Sequence, residues 1–212
     1  MLVDLTLPIG EEMKLFPDLE GPTFERTVAG ETDAVTHRIC TSTHQGTHID
    51  APAHYIPDGE TIDEVPAELL IGRANVVDLR NHRGELITAE TLASSGSAIS
   101  AHDRVLLLTG DVDERFGDAD FFDDAAALTP GAAEWLVESG VSLIANDFLT
   151  ERLADPERPV HKTLLGGGIP IVEYLCNADH VASYETVELI ALPLALSGLD
   201  GSPARVIART DD

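Results

Sequence analysis

Short apolar runs rich in Val, Ile and Leu recur along the chain and constrain its fold more than any other feature. They lie at residues 2–7, 74–79, 104–109, 141–145, 187–193 and 204–208. Each run has the length of a buried strand and is flanked by Gly, Asp or Pro, which favours strands over helices. The sequence therefore predicts a sheet that contains several buried strands.

Helical segments are expected between these strands. Thr88 can cap a helix that runs through Ser94, and Thr129 stands before Pro130 at the start of a second segment that ends at Gly140. Proline is favoured at the first position of a helix and glycine just past its end. Strands that alternate with helices indicate an α/β domain.

Two early strands break this alternation. They lie at residues 23–28 and 34–40, and no helix separates them. Adjacent strands without a crossover helix pair in an antiparallel manner. We therefore expect a single domain over residues 1–212, with a mixed sheet whose strands are partly antiparallel.

The charge balance excludes several classes of partner. The chain has 38 acidic and 13 basic residues and a formal net charge of -25. Such a surface repels nucleic acid phosphates and anionic lipids, so neither nucleic acid nor a membrane is an expected partner. Because the acidic residues are spread along the chain, we interpret them as an adaptation of the surface to a salt-rich cytoplasm.

Targeting and redox signals point to the same compartment. Asp4 interrupts the apolar core that a signal peptide would need, and no stretch approaches the ~20 apolar residues of a membrane span. Cys40 and Cys176 are the only cysteines, and we expect both to be buried as small apolar residues. A cytoplasmic location is therefore expected.

The segment from Asp118 to Asp124 is rich in aspartate and superficially similar to a calcium loop. Phe121 and Phe122 interrupt the alternating oxygen ligands that calcium loops require. We interpret the segment as a solvated loop.

A cluster of histidines provides the clearest sign of chemistry. Three of the eight histidines, together with one aspartate, fall within residues 44–54; the four are His44, His48, Asp50 and His54. Imidazole and carboxylate are ligands of catalytic zinc and manganese, and such sites use about three protein groups and leave a position for water. Gly46 permits a tight backbone path and Pro52 ends regular structure, so the loop can fold these side chains toward one point.

Metzincin proteases share these histidine offsets but need other residues around them. Their general base is a glutamate beside the first histidine, where this chain has Gln45, which cannot accept a proton. Ala51 replaces the required glycine, and no methionine follows Met13 to form the later turn. The sequence therefore excludes this class of protease.

The segment from His44 to His54 matches His-x-Gly-Thr-His-x-Asp-x-Pro-x-His at every fixed position. This is the signature of the metal-dependent cyclase-like hydrolases, which include bacterial kynurenine formamidase and isatin hydrolase. Further blocks are similar to that family at residues 4–9, 140–147, 161–165, 168–173 and 192–205. The chain thus resembles the family over nearly its whole length.

The resemblance implies a swivelling β/β/α fold, a homodimer or higher homo-oligomer, and one or two Zn²⁺ or Mn²⁺ ions per chain. It implies that His44, His48 and Asp50 hold the first ion, with Asp50 as a candidate bridge to the second. His161 and Glu173 would bind that second ion or support its water. His54 would then carry protons as acid and base.

Departures from the family concern the substrate pocket. Relatives line it with an aromatic-Pro-Gly-Asp stretch, and this chain has Phe16-Pro17-Asp18 without the glycine, so Phe16 and Asp18 are the predicted substrate contacts. Asp147 is followed by Phe148-Leu149-Thr150, where relatives commonly have a serine. Aromatic residues make up only 5% of the chain, and Trp135 is expected in the core, so no aromatic cage is evident.

Three functions follow from these observations. The leading one is hydrolysis of a carbon-nitrogen amide bond in a small molecule, with N-formylkynurenine as the first candidate substrate. The second is hydrolysis of a cyclic amide, imide or lactone. The third is a metal-binding module without turnover, which the sequence disfavours because His54 is surplus to the first three ligands.

Overall fold

The computed structural model describes residues 1–29, 34–154 and 156–210. Twelve strands and six helices lie in these ranges. The strands are β1 (Leu2–Asp4), β2 (Thr23–Ala29), β3 (Ala34–Cys40), β4 (His48–Asp50), β5 (Ile71–Asp78), β6 (Leu86–Ile87), β7 (Arg104–Leu108), β8 (Ala127–Leu128), β9 (Leu143–Asn146), β10 (Ile171–Glu173), β11 (Thr186–Pro193) and β12 (Gly201–Arg209). The helices are α1 (Ala67–Leu70), α2 (Ala89–Ser94), α3 (Asp111–Arg115), α4 (Phe121–Asp124), α5 (Pro130–Glu138) and α6 (Pro159–Gly166).

The largest sheet contains eight strands in the order β1-β12-β11-β5-β7-β9-β10-β4, and β4 also pairs with β12, which closes it into a barrel-like ring. β5, β7, β9 and β10 run parallel to their neighbours in this series. β1, β4, β11 and β12 pair in an antiparallel manner. The predicted α/β fold with a mixed, partly antiparallel sheet is confirmed.

The central strands are buried on both faces, which explains their continuous apolar sequences. In β7, Leu106 and Leu108 face one core cluster, while Val105 and Leu107 face a second cluster under the helices. All four side chains are fully buried. Each of the six apolar runs in the sequence overlaps a strand of this sheet.

The predicted helix starts are also present. The Thr88 hydroxyl accepts a hydrogen bond from the Thr91 backbone N–H, and the Thr129 hydroxyl accepts one from the Ala132 N–H. Each threonine thereby satisfies a backbone donor that the first turn of a helix leaves unpaired. α5 carries Trp135 against the second core cluster, as expected.

β2 and β3 form the expected antiparallel hairpin, which is separate from the large sheet. All of β3 is exposed. The expectation that both cysteines are buried is wrong, because Cys40 ends this exposed strand and Cys176 is only half-buried. Among the described residues, no helix has the length and apolar character that spanning a membrane requires.

The segment from Asp118 to Asp124 is not the solvated loop that its acidic residues suggest. Its second half forms α4, in which Phe121 and Phe122 are 0% and 5% exposed. Both rings make edge contacts with Phe116, and Phe122 also contacts Phe16. Burial of these two rings outweighs the solvation of the acids, and it supports one wall of the cavity described below.

Candidate metal centre

β4 carries two of the predicted ligands between two other strands. It pairs with β10, which places His48 opposite Glu173, and with β12, which places Asp50 opposite Gly201. Because side chains alternate along a strand, His48 and Asp50 share one face, while Ile49 enters the core. The register of β4 therefore brings the loop's ligands and Glu173 together.

Two glycines allow the close approach of backbone that this arrangement needs. A Cβ atom at Gly46, whose φ is 62°, would lie 2.9 Å from the carbonyl oxygen of Leu7. A Cβ atom at Gly201 would lie 2.7 Å from the Ile49 carbonyl oxygen and 2.9 Å from Cε1 of His44. Only glycine fits at either position without moving the neighbouring backbone.

Gln45 anchors the loop rather than reacting. Its side-chain oxygen accepts hydrogen bonds from the Thr41 hydroxyl at 2.6 Å and the Ser42 N–H at 3.2 Å. Its amide nitrogen donates to the carbonyl of Glu20. The side chain is almost fully buried, so these bonds fix the path of the chain into His44.

His44, His48 and Asp50 form the first group that could hold a metal ion, with candidate ligand atoms within 4.8 Å of one another. Asp50 Oδ1 lies 2.7 Å from His44 Nδ1 and 3.3 Å from His48 Nε2. His48 Nδ1 donates to the Gly46 carbonyl at 2.9 Å, which directs Nε2 into the site. A hydrogen bond to one ring nitrogen is the usual way to orient a ligating histidine.

Asp50, His161 and Glu173 form a second group of the same kind, and all three are buried. His161 Nε2 lies 3.8 Å from Asp50 Oδ2 and 3.6 Å from Glu173 Oε1. His161 Nδ1 donates to Glu151 Oε2 at 2.9 Å, so Glu151 orients this ring. Asp50 belongs to both groups, and its bridging role stays a prediction.

Two buried atoms at the centre of the cluster lack hydrogen bonds. Within the described part of the chain, His48 Nε2 and Asp50 Oδ2 are buried and have no hydrogen-bond partner. Leaving a buried polar atom unpaired costs about 1–3 kcal/mol. A divalent cation coordinated by both atoms would remove this cost, so the residues fit a bound metal ion.

The charges of the cluster also favour a cation. Burial opposes protonation of His48 and His161, but neighbouring carboxylates outweigh it and raise the pKa of each to about 10. The pKa of His44 rises to about 9 against the same opposition. Burial alone would raise the pKa of Asp50 and Glu173, but the imidazoles hold both below their ordinary values. The carboxylates thus attract positive charge, whether from protons or from metal.

His54 lies at the edge of this cluster, at the end of a short 3-10 helix (Pro52–His54). Its ring centroid is 3.9 Å from that of His44, and its Nδ1 lies 3.1 Å from Asp200 Oδ2. Burial lowers the pKa of His54, while Asp50 and Asp200 oppose that effect. A neutral ring that donates from Nδ1 leaves Nε2 as a proton acceptor.

A cavity of about 160 Å³ opens onto the cluster. Its polar wall includes His44, His48, His54, Thr150, Glu151, Arg158, His161 and Glu173, and its apolar wall includes Phe16, Leu19, Tyr55, Leu149 and Tyr174. A cavity of this size holds a single aromatic ring. Apolar walls with a few converging polar groups are typical of a small-molecule site.

Comparisons with known proteins identify the family. The family model described as "Putative cyclase" matches residues 3–150. A kynurenine formamidase of Bacillus cereus is 32% identical over 211 residues, covering 98% of this chain and 96% of that protein. A solved potential metal-dependent hydrolase with cyclase activity has a TM-score of 0.82 and 31% identity, covering 98% of this chain and 96% of that one. Isatin hydrolase A from Labrenzia aggregata has a TM-score of 0.84 and 28% identity, covering 98% and 93%.

The chain belongs to the cyclase family. Membership confirms the predicted family and fold, and it confirms that the chain is a hydrolase. The five predicted metal ligands of this cyclase-family protein lie together, and His54 lies beside them. Their individual roles stay predictions.

The two predicted substrate contacts are separated by the fold. Phe16 lines the cavity, in edge contact with Phe122. Asp18 is exposed, adopts φ of 70°, and is not among the cavity-lining residues. A turn after Pro17 directs Asp18 to solvent, so its predicted contact with substrate receives no support from its position.

The cavity has an aromatic wall, which the low aromatic content of the chain did not indicate. Phe16, Tyr55 and Tyr174 come from three distant segments and meet at the cavity. Composition could not reveal them, because a low aromatic content says nothing about where the rings gather.

Glu151 and Asp200 also belong to the site, although neither was predicted from the sequence. Glu151 accepts hydrogen bonds from the backbone of Val160 and from His161 Nδ1. Asp200 Oδ2 contacts His44 Nε2 at 2.8 Å, and the same oxygen contacts His54. Asp200 lies inside the family-like block at residues 192–205, which was the one signal available; nothing in the sequence distinguished Glu151 from surface acids.

Proposed function

We propose that this cyclase-family protein is a metal-dependent hydrolase of the carbon-nitrogen amide bond in a small aromatic substrate, with N-formylkynurenine as the leading candidate. The observation that carries the proposal is that two buried atoms beside a ring-sized cavity, His48 Nε2 and Asp50 Oδ2, have no hydrogen-bond partner among the described residues. The full-length similarity to kynurenine formamidase supports the choice of substrate.

The residues that would hold the first ion are His44, His48 and Asp50, and those for a second are Asp50, His161 and Glu173. Zn²⁺ and Mn²⁺ both suit this set of nitrogen and oxygen donors. When bound, a divalent ion would lower the pKa of a water molecule and polarise the carbonyl group of the substrate. His44 contacts carboxylates through both ring nitrogens, so one of these contacts must open if His44 is a ligand.

His54 would act as the general base and general acid of the reaction. In the hydrolysis of a formamide, water oxygen bonds to the formyl carbon, the carbon-nitrogen bond breaks, and the nitrogen gains a proton to leave as an amine. Asp200 holds Nδ1 of His54, so Nε2 can accept a proton from water and return it to the leaving nitrogen. The lowered pKa keeps this ring neutral near pH 7, as a base requires.

A second candidate is hydrolysis of a cyclic amide, imide or lactone. The structural similarity to isatin hydrolase A, at a TM-score of 0.84, favours it. The same ion site and the same proton carrier would open a ring instead of releasing formate. The two candidates differ only in whether the leaving group stays attached to the product.

A substrate panel tests the proposal and separates these candidates. Formanilide, N-formylkynurenine, isatin and an aryl lactone would be assayed with zinc and with manganese, with His48→Ala as the control for contaminating activity. We expect formate release from the first two compounds. Turnover confined to isatin or the lactone would support the second candidate, and no turnover with either metal would refute the proposed function.

Compartment, salt adaptation and assembly are further proposals. The acidic composition, with a net charge of -25, supports a cytoplasmic protein adapted to salt. Its melting temperature should rise from low to molar potassium chloride, and a flat or falling curve would contradict this. The homodimer rests on the family resemblance, and sedimentation of the purified protein tests it.

A further inference from the structure

The wall of the cavity includes one arginine side chain, Arg158. Among the described residues that line the cavity, Arg158 is the only lysine or arginine. Lysine and arginine together number 13 in this chain of 212 residues, against 38 acids. A strongly acidic protein repels anions, so an arginine in its cavity offers local compensation where a ligand would sit.

The backbone fixes Arg158 on the same wall as the metal centre. Arg158 adopts φ of 52° and ψ of 51° immediately before α6, the helix that begins at Pro159 and carries His161. A left-handed conformation is uncommon for a residue other than glycine, asparagine or aspartate. The position of the side chain is thus linked to the position of a predicted metal ligand.

Contacts keep the guanidinium at the cavity. Its Cζ atom lies 5.9 Å from the centroid of the Phe16 ring, within the range of a cation-π contact. Nη1 donates to the Arg152 carbonyl at 3.1 Å. The positive charge also opposes the rise that burial causes in the pKa of Tyr55 and Tyr174, so its field reaches both rings.

We propose that Arg158 binds a carboxylate group of the substrate, so that the enzyme prefers anionic aromatic amides to neutral ones. This inference rests on the proposed hydrolase function. Arginine is suited to the role because its planar fork of N–H donors matches the two oxygens of a carboxylate. The alternative is that Arg158 only packs against Phe16 and closes the cavity.

A matched pair of substrates separates the two roles. N-formylkynurenine carries a carboxylate, and its methyl ester does not. In Arg158→Met, kcat/KM for the acid should fall roughly 10- to 100-fold, mainly through KM, because a hydrogen bond to a charged group is lost. The value for the ester should change little, and Arg158→Lys should restore part of the loss for the acid. Equal losses for acid and ester would show a packing role and overturn the proposal.

A binding measurement keeps the inference separate from turnover. Benzoate and benzamide share one ring and differ in charge, so both would be titrated calorimetrically into the metal-loaded wild type and Arg158→Met. We expect benzoate to bind more tightly than benzamide only when Arg158 is present. Benzoate affinity that does not depend on Arg158 would refute the inference, whereas absent turnover with intact benzoate selectivity would refute only the proposed function.

Discussion

Two buried aspartates show how differently this fold uses a carboxylate. Asp50 and Asp147 are 1% and 0% exposed. Asp147 accepts hydrogen bonds from the Thr109 N–H at 2.7 Å, the Thr109 hydroxyl at 3.1 Å and the Gly110 N–H at 2.6 Å. Asp50 instead faces imidazoles, and its Oδ2 has no hydrogen-bond partner in the described part of the chain.

The role of a buried acid thus follows from its partners and not from its burial. Asp147 follows β9 and accepts hydrogen bonds from the backbone of the loop after the neighbouring strand β7. Its role is therefore structural. Asp50 Oδ2 accepts no hydrogen bond from the described residues, which marks a place for a cation. Their pKa values diverge accordingly: burial raises that of Asp147 to about 7, whereas His44 and His48 overcome burial and lower that of Asp50.

The largest expected effect compares the two aspartates directly. Asp50→Asn should lose bound metal, and its activity should fall more than about 100-fold, since even residues that only orient a ligand are worth 10–100-fold. Asp147→Asn should keep its metal, because its side chain belongs to none of the candidate ligand groups of the described residues. Elemental analysis and initial rates measure both. Equal metal loss in the two variants would remove the distinction drawn between them.

His54 tests the boundary of the metal centre. His54→Ala should keep its metal, while turnover of an amide should fall by roughly 10²–10⁴-fold, the usual contribution of a general acid or base. An activated ester should suffer less, because its alcohol leaves without a proton. His82→Ala, at an exposed histidine paired with Glu85, is the control. Metal loss as complete as in His48→Ala would instead make His54 a ligand.

A smaller effect is expected at Glu151. Glu151→Gln weakens the acceptor for His161 Nδ1, so metal affinity should fall by about 10–100-fold. Glu157→Gln, at an exposed acid on the same segment, makes the same change of charge away from the site. Titration with a competing chelator measures both affinities. Affinity in Glu151→Gln equal to that of Glu157→Gln would show that Glu151 does not support the ligand.

When metal is removed, Asp147 and the histidines of the metal cluster should each make folding stability depend on pH, but over different pH ranges. Protonated Asp147 stabilises the fold, and this contribution is lost as pH rises from 3.8 to about 7. Protonated His48 and His161 contribute likewise, and that contribution is lost from pH 6.5 to about 10. Urea unfolding in chelator should show both declines.

Asp147→Asn separates these windows. In this variant the free energy of unfolding should decline less with pH below pH 7, since asparagine does not titrate. The decline from pH 6.5 to about 10 should remain. Metal added to the wild type should reduce only the loss of stability from pH 6.5 to about 10, because ions replace the protons on the imidazoles. An unchanged slope below pH 7 in Asp147→Asn would contradict the assigned burial effect.

The strands and the histidine loop were predictable because both are local patterns. Runs such as residues 104–109 have a strand's length and composition, and His44 to His54 carries its ligand types within a few residues. The loop's own backbone path depends on Gly46, which was also visible in the sequence. These features need no knowledge of distant contacts.

The rest of the site depends on contacts that no local pattern encodes. The register of β4 against β10 puts Glu173 opposite His48. Asp200 reaches His54 only because β12 closes the ring against β4. The aromatic wall is assembled by tertiary packing. Tertiary packing also buries Phe121, which stabilises α4 within an acidic segment.

Metal removal and reconstitution test the central claim most directly. Purified protein should carry at least one divalent ion per chain, lose amide hydrolysis when a chelator strips that ion, and recover it in proportion to the zinc or manganese rebound. Asp147→Asn should follow the wild type, and Asp50→Asn should not recover. Protein that is free of metal, active on amides and indifferent to chelator would contradict the account.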